Sequence, residues 1–512
     1  MKNSRSNNSV AATASVVTAL STAERGLGFL YRIVLSRLIG AEGLGLYQVA
    51  LSLFSLFLTI GTGGIPITVS RMISKSKAEN RPQDKSGAVT AGIALSLLLT
   101  LPVCLLLLLF GEKLTFLFSD ERGFPIFKIL LLGLIFSSLY AVLRGNFWGN
   151  KQFLLPSILE IAEETVMVIA GVLLLQNVSS PTMGAQRAAW AVVLSYLFSF
   201  TAAALCFFFC GGKLSTPKKQ LKPLFNATMP ITSVRASSSL VSSAVAVLLP
   251  VMLMRAGYDN GEALTLFGIV SGMVLPILFI PSTIIGSLSL VLVPELSEDF
   301  YRNNQARLQK NIERGVTFSF LIACALIPFF CVLGKDLGML AFSNPQAGEM
   351  IAKSCPILLP ISLSMITNSV LNSMGFEKQT FLFYFVGAAA LLLSILLLPP
   401  LCGAYAYVIG LSANFTLIAL CNLLYLRKKC PIYQKRWGQV CVHGIFPVCI
   451  TLLAVATIGG LCNAILSRYT SEMLCMLLTT LLMAVSTLAL YTVTGLFSPR
   501  ALFSSKKKTT VR

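Results

Sequence analysis

The chain alternates long apolar runs with short breaks rich in charge, glycine or proline. Runs such as 88–110 and 473–493 contain no charged residue, and each is about the 20 residues needed to cross a hydrocarbon layer as a helix. Taken along the whole sequence, the pattern predicts fourteen spans, at 14–38, 44–72, 87–110, 125–147, 154–175, 186–210, 225–255, 263–293, 315–334, 350–374, 380–399, 401–426, 438–463 and 472–497. The fold class expected is therefore an all-α polytopic membrane protein.

The first span is apolar but has charges inside it. Thr18, Ser21, Arg25, Gly28 and Arg32 recur at three- and four-residue spacing, which puts them on one stripe of a helix. An arginine near the bilayer centre costs roughly 2.5–3.5 kcal/mol even on the mildest scale, so this stripe is expected to face water or a ligand rather than lipid. Gly26 and Gly28 are expected to weaken the helix between the two arginines.

Composition agrees with the span pattern. Of 512 residues, 55% are hydrophobic and 12% charged, and the mean hydropathy is +0.80. With the amino terminus placed in the cytoplasm, 28 of the 40 lysines and arginines fall on the cytoplasmic side, seven outside and five within spans. Such a bias supports fourteen spans across the cytoplasmic membrane with both termini in the cytoplasm. The net charge of +20 does not indicate nucleic acid, because the basic residues are spread over short loops rather than gathered on one aqueous surface. The start of the chain, MKNSRSNN, is polar, and no cleavable signal peptide is expected. The thirteen cysteines form no CxxC pair, and those within apolar runs, such as Cys104, Cys206, Cys324 and Cys475, read as small buried hydrophobes.

The chain also looks duplicated. Glu42-Gly-Leu-Gly-Leu-Tyr-Gln-Val matches Glu262-Ala-Leu-Thr-Leu-Phe-Gly-Ile at a constant offset of 220, each opening the second helix of a six-helix unit. The expected organisation is an amino-terminal lobe at 1–210, a carboxy-terminal lobe at 211–430 related to it by a pseudo-two-fold along the membrane normal, and two further helices with a basic tail at 431–512. The opening helix of the second lobe repeats the polar theme with Thr228, Thr232, Arg235, Ser239 and Ser242.

Candidate chemistry is confined to a few embedded charges. Glu160, Glu163 and Glu164, at i, i+3 and i+4, share one face of the fifth span. They could pair with Arg25, whose depth from the inner boundary is similar, or carry protons. Arg32 lies deeper and has no acidic partner evident at its level, so Arg32, with Arg25 and Arg235, is the candidate set of anion-binding cations. All five aspartates fall in expected loops or at span ends. Lys128 and Lys353 lie near the outer boundary, where they can snorkel. His443 reads as interfacial, and Asn368, Asn372 and Asn414 are either packing or lining residues. No metal or cofactor motif is present, and the longest expected loop, about 295–314, is too short for an enzymatic domain.

Three stretches, GFLYRIVLSRLIGAEGLGLYQ (28–48), GTGGIPITVSRMISK (61–75) and FGIVSGMVLPILFIPSTIIGSLSLVLVPELSE (267–298), resemble the stage V sporulation protein B family. This family lies in the polysaccharide-export branch of the multidrug, oligosaccharidyl-lipid and polysaccharide flippase superfamily. The resemblance implies a flippase for an undecaprenyl-diphosphate-linked saccharide, a peptidoglycan precursor for the spore cortex. Membrane lipids and cell-wall synthesis proteins would be its partners. In related lipid flippases, arginines of the first helix face the central cavity, and Arg25 and Arg32 match that pattern in kind. The alternative within the superfamily is a cation-coupled multidrug antiporter, which would rely on embedded carboxylates such as Glu160, Glu163 and Glu164.

Overall fold

The computed structural model describes residues 2–79, 82–110, 118, 120–217, 219–429, 437–466 and 471–493. The side chains of 2–15, 82, 83, 110, 290, 291, 437–449 and 472 fall outside that description, and with them the expectation for His443.

Among the described residues every regular element is a helix, as hydrocarbon demands of a chain that must satisfy its own backbone groups. The order is α1 (Lys2–Thr62), α2 (Ile65–Ala78), α3 (Pro82–Phe110), α4 (Gly123–Gly149), α5 (Leu154–Leu174), α6 (Pro181–Phe209), α7 (Leu221–Arg255), α8 (Asn260–Gly268) and α9 (Leu275–Leu278). There follow α10 (Ile280–Tyr301), α11 (Gln305–Phe342), α12 (Pro345–Ser354), α13 (Leu358–Ser373), α14 (Glu377–Leu397), α15 (Pro399–Cys402), α16 (Tyr405–Lys429), α17 (Trp437–Leu466) and α18 (Glu472–Val493). Twelve described stretches are long and apolar enough to cross a membrane, and one of them, Val16–Ala78, contains two consecutive expected spans. α5 has the length of a span despite its three glutamates. The helices form two compact units, residues 1–272 with 399–403 and residues 273–398 with 404–512.

In the first unit α1 is continuous through Gly26 and Gly28 and departs from helical geometry only at Gly40 (φ 70°, ψ 178°). The expected weakening between the arginines is therefore corrected. A glycine inside a helix costs about 1 kcal/mol, too little to break a segment packed against α4, α5 and α6, whereas a positive φ at Gly40 turns the chain outright. Beyond that turn, Leu44, Leu46, Tyr47, Val49 and Ala50 are all buried. Here the two duplicated stretches meet: a Cβ on Gly45 would run into the backbone of Leu264, and one on Gly268 into the carbonyl of Ala41. Glycine at both places lets α1 and α8 cross backbone to backbone.

The repeated glutamates at the head of these stretches do different work. Glu262 accepts from the backbone N–H of Asp259 in a capping box that starts α8. Glu42 instead receives Arg122 Nη1 at 2.9 Å. Arg122 also donates to Asp120, to which Asn260 donates at 2.9 Å, so the α1 turn, the α3–α4 connection and the start of α8 are tied together. Burial raises the Asp120 carboxyl, but the hydrogen bonds from Arg122 and Asn260 hold it below its ordinary value overall.

In the second unit the expected 295–314 loop is corrected to a helical hairpin. α10 runs to Tyr301, Arg302–Asn304 make the turn, and Asn304 caps α11 by accepting from the Arg307 N–H. Asp299, expected in that loop, is buried on α10, where its carboxylate accepts from Asn311 at 2.8 Å. Asn422 on α16 donates to Asn368 at 2.8 Å and to Thr367 at 3.1 Å on α13, and Asn372 accepts from Thr380. Asn368 and Asn372 are thus engaged in packing.

Candidate functional site

The charges gather on three packed elements of the first unit. α1 supplies Glu24, Arg25 and Arg32; α4 supplies Arg144; α5 supplies Glu160, Glu163 and Glu164 on its shared face.

Arg144 lies near the end of α4, within the expected span 125–147, and takes one of the carboxylates expected for Arg25. Its Nη1 donates to Glu160 Oε1 at 3.0 Å, and its guanidinium stands over the rings of Trp148 (5.1 Å) and Tyr140 (5.8 Å). Glu163 lies near Ser199 of α6, whose hydroxyl donates to the Tyr196 carbonyl at 3.2 Å. Arg25 is exposed and, among the described residues, has no carboxylate within ion-pair distance; Glu24 beside it is the acid in its electrostatic range. The expected pairing of Arg25 with the α5 carboxylates is corrected accordingly. An arginine one helix away, wedged between two aromatic rings, is better placed to reach Glu160.

Glu164 goes somewhere else. Its carboxylate rests on α1 at Gly28, with Oε2 3.6 Å from where a Cβ would stand, so the missing side chain is what admits it. Oε2 is buried and lacks a hydrogen-bond partner among the described residues. Arg32, one turn farther along α1, is the cation in electrostatic range of Glu164. The expectation that Arg32 has no acid at its level is thereby corrected, although no carboxylate approaches it within ion-pair distance among the described residues.

The polar stripe of α7 divides by function. Thr228 and Thr232 are buried, Thr232 Oγ1 accepts from the Gly64 N–H at 3.1 Å, and Ser239 meets Thr59 at 2.8 Å, all packing contacts with the α1–α2 junction. Ser242 bonds back to its own helix, and Arg235 is exposed without an ion pair among the described residues.

Chemically, Arg144 and Glu160 neutralise each other. What remains accessible is Arg25 and Arg32, with Glu164 held against the same helix. A planar guanidinium offers paired donors to carboxylate or phosphate oxygens. Arg32 can therefore hold an external anion or attract Glu164, and the two compete. Sequence reading missed Arg144 and Glu24. The signal for Arg144 was present in Tyr140, Arg144 and Trp148 at i, i+4 and i+8, a spacing that stacks an arginine between two aromatic residues.

Residues 10–300 match the family model for polysaccharide biosynthesis proteins, a region containing all three stretches of the resemblance and every candidate residue above. The chain belongs to that family. Within it, the sequence is 24% identical to stage V sporulation protein B of Bacillus subtilis (strain 168) over 451 residues, which cover 85% of this chain and 86% of the relative. The polysaccharide biosynthesis fold seen here is shared with a lipid II flippase MurJ in an inward closed conformation, at TM-score 0.70 and 15% identity, over 95% of this chain and 99% of that one. It is shared as well with an inward-facing multidrug resistance MATE family transporter of the MOP superfamily, at TM-score 0.62 and 15% identity, over 81% and 96%. The chain is thus a multi-pass membrane protein with the two-lobed, all-helical fold of these transporters.

Proposed function

We propose that this protein is a flippase that carries an undecaprenyl-diphosphate-linked saccharide, a lipid II-type peptidoglycan precursor for spore cortex, across the cytoplasmic membrane by alternating access. The observation that carries the reading is the α1 stripe, where Arg25 and Arg32 sit in an apolar helix without an ion pair among the described residues. Two such cations are costly in a membrane unless an anion visits them, and a diphosphate suits their geometry. The sporulation relative and the flippase neighbour support the same substrate class. In this reading Glu164 holds the place of the anion near Arg32 when the site is empty, and Arg235 guides the headgroup from α7. The two lobes are the moving bodies, both termini face the cytoplasm, and cell-wall synthesis proteins take up the exported product.

The test is reconstitution into vesicles with labelled lipid-linked disaccharide-pentapeptide. Label initially inside should become accessible to an enzyme added outside only when the protein is present; accessibility equal to that of empty vesicles rejects the reading. A multidrug antiporter is the second reading, favoured by the α5 glutamates and the MATE likeness. It predicts organic-cation transport that Glu164→Gln abolishes and Arg32→Ala spares, the reverse of the flippase expectation for Arg32.

A further inference from the structure

At the ends of α2, α3, α4 and α6, away from the α1 stripe in sequence, the first unit encloses a recess of about 340 Å³. Its polar lining consists of Lys77, Lys85, Lys213, Asn146, Asn150 and Gln152 among others, and no acid lines it among the described residues. A fourth cation, Lys151, lies with Lys85 in the electrostatic range of Lys77. The nearby acids are engaged elsewhere: Asp84 accepts from Gln220 at 3.0 Å, and Glu79 stands 3.8 Å from Lys75. The floor is apolar and tightly packed, formed by Val89, Phe147 and Phe207.

The backbone is built to bring these cations in. α4 and α6 end alike, with the Gln152 N–H bonded to the Phe147 carbonyl and the Gly212 N–H to the Phe207 carbonyl, each at 2.9 Å. Both endings pass through a left-handed residue, Gly211 on α6 (φ 76°) and Lys151 on α4 (φ 63°). A non-glycine residue seldom adopts that conformation, and here it turns the chain back so that Gln152 lines the recess, as the Gly211 turn does for Lys213. Among the described residues, the mutually repelling lysines that converge on this concave amide-lined recess meet no acid in its lining, and lysine binds phosphate as a point charge.

We propose that this recess is a binding site for a phosphate-bearing anion, either the headgroup of an anionic phospholipid or a soluble phosphate compound. Basic recesses between membrane helices are suited to such headgroups. The site is formed by residues other than the α1 stripe and does not depend on the flippase reading.

The test uses the purified full-length chain. Phosphatidylglycerol and phosphatidylcholine are compared by native mass spectrometry, and inorganic pyrophosphate by titration calorimetry. The parent should retain phosphatidylglycerol over phosphatidylcholine, or bind pyrophosphate; the first result assigns the lipid source and the second the soluble one. Combining Lys77→Gln, Lys85→Gln and Lys213→Gln should weaken that binding about thirtyfold. Combining Lys219→Gln, Lys222→Gln and Lys310→Gln, exposed cations outside the recess, should leave it unchanged. If the first triple variant does not fold, Lys85→Gln alone should weaken binding by about threefold. No preference for either phosphate probe, or an equal loss in both triple variants, overturns the proposal.

Discussion

The two halves of α1, joined at Gly40, are one helix under two regimes. Beyond the turn the chain is sealed, with α1 crossing α8 through Gly45 and Gly268 and Glu42 held by Arg122. Before it the helix is open: Arg25 and Gly26 are exposed, and nothing lies within 4 Å of where a Gly26 side chain would begin. Apolar packing fixes the sealed half in one arrangement because close-packed backbones tolerate no added volume. The open half is packed along one face, where Tyr31 and Leu35 are buried, while on its charged stripe Glu164 lies on Gly28 near Arg32, an interaction that an anion of the right shape can replace. The contrast suggests that one end of the helix forms a seam and the other a binding surface.

Breaking the seam should have the largest effect. Gly45→Leu forces a side chain into the Leu264 backbone and should destabilise the fold by about 3 kcal/mol, the upper end of ordinary overpacking. A clearly lower melting temperature checks this, and an unchanged one would mean that α1 and α8 are not in contact. Next comes the closed part of the charged wall. Arg144→Ala removes two ring contacts and the partner of Glu160 and should cost about 2 kcal/mol, because the side chain is 29% exposed and its ion pair is partly screened. Adding Glu160→Gln should recover part of that loss, and strict additivity of the two substitutions would deny the pairing. The smallest effect is expected on the open half. Gly26→Ala should raise stability by about 0.5–1 kcal/mol, since the helix is continuous there and space is free. If the protein is stabilised but loses transport, Gly26 bends during the cycle and the open half is a hinge as well as a surface.

The fold was legible in the sequence because run length and loop charge are one-dimensional signals. The 28–48 stretch, with its charged stripe and its repeat at 262–269, already marked the helix that both regimes share. The contents of the site were less legible. Pairing Arg25 with the α5 carboxylates rested on similar depth along two helices, but depth leaves azimuth undetermined, and Arg144 on α4 was in position to take Glu160. Arg32 was read as lacking an acid because Glu164 seemed too shallow; only packing reveals that Gly28 leaves room for that carboxylate to lie against α1. The 295–314 segment was taken as a loop from its charge, whereas Asp299 binds Asn311 across the hairpin and lets polar helices continue past the apolar run.

The most direct measurement is the affinity of purified Arg32→Ala for the lipid-linked disaccharide-pentapeptide, made beside its melting temperature. A hydrogen bond to a charged group contributes roughly 1.5–3 kcal/mol, so affinity should fall about ten- to a hundredfold. Melting should stay near that of the parent because no ion pair within bonding distance is lost, and Arg32→Lys should restore only part of the affinity. Binding by Arg32→Ala as tight as that of the parent would contradict the account, leaving Arg32 as the counter-charge of Glu164 alone and moving the anion site to Arg235.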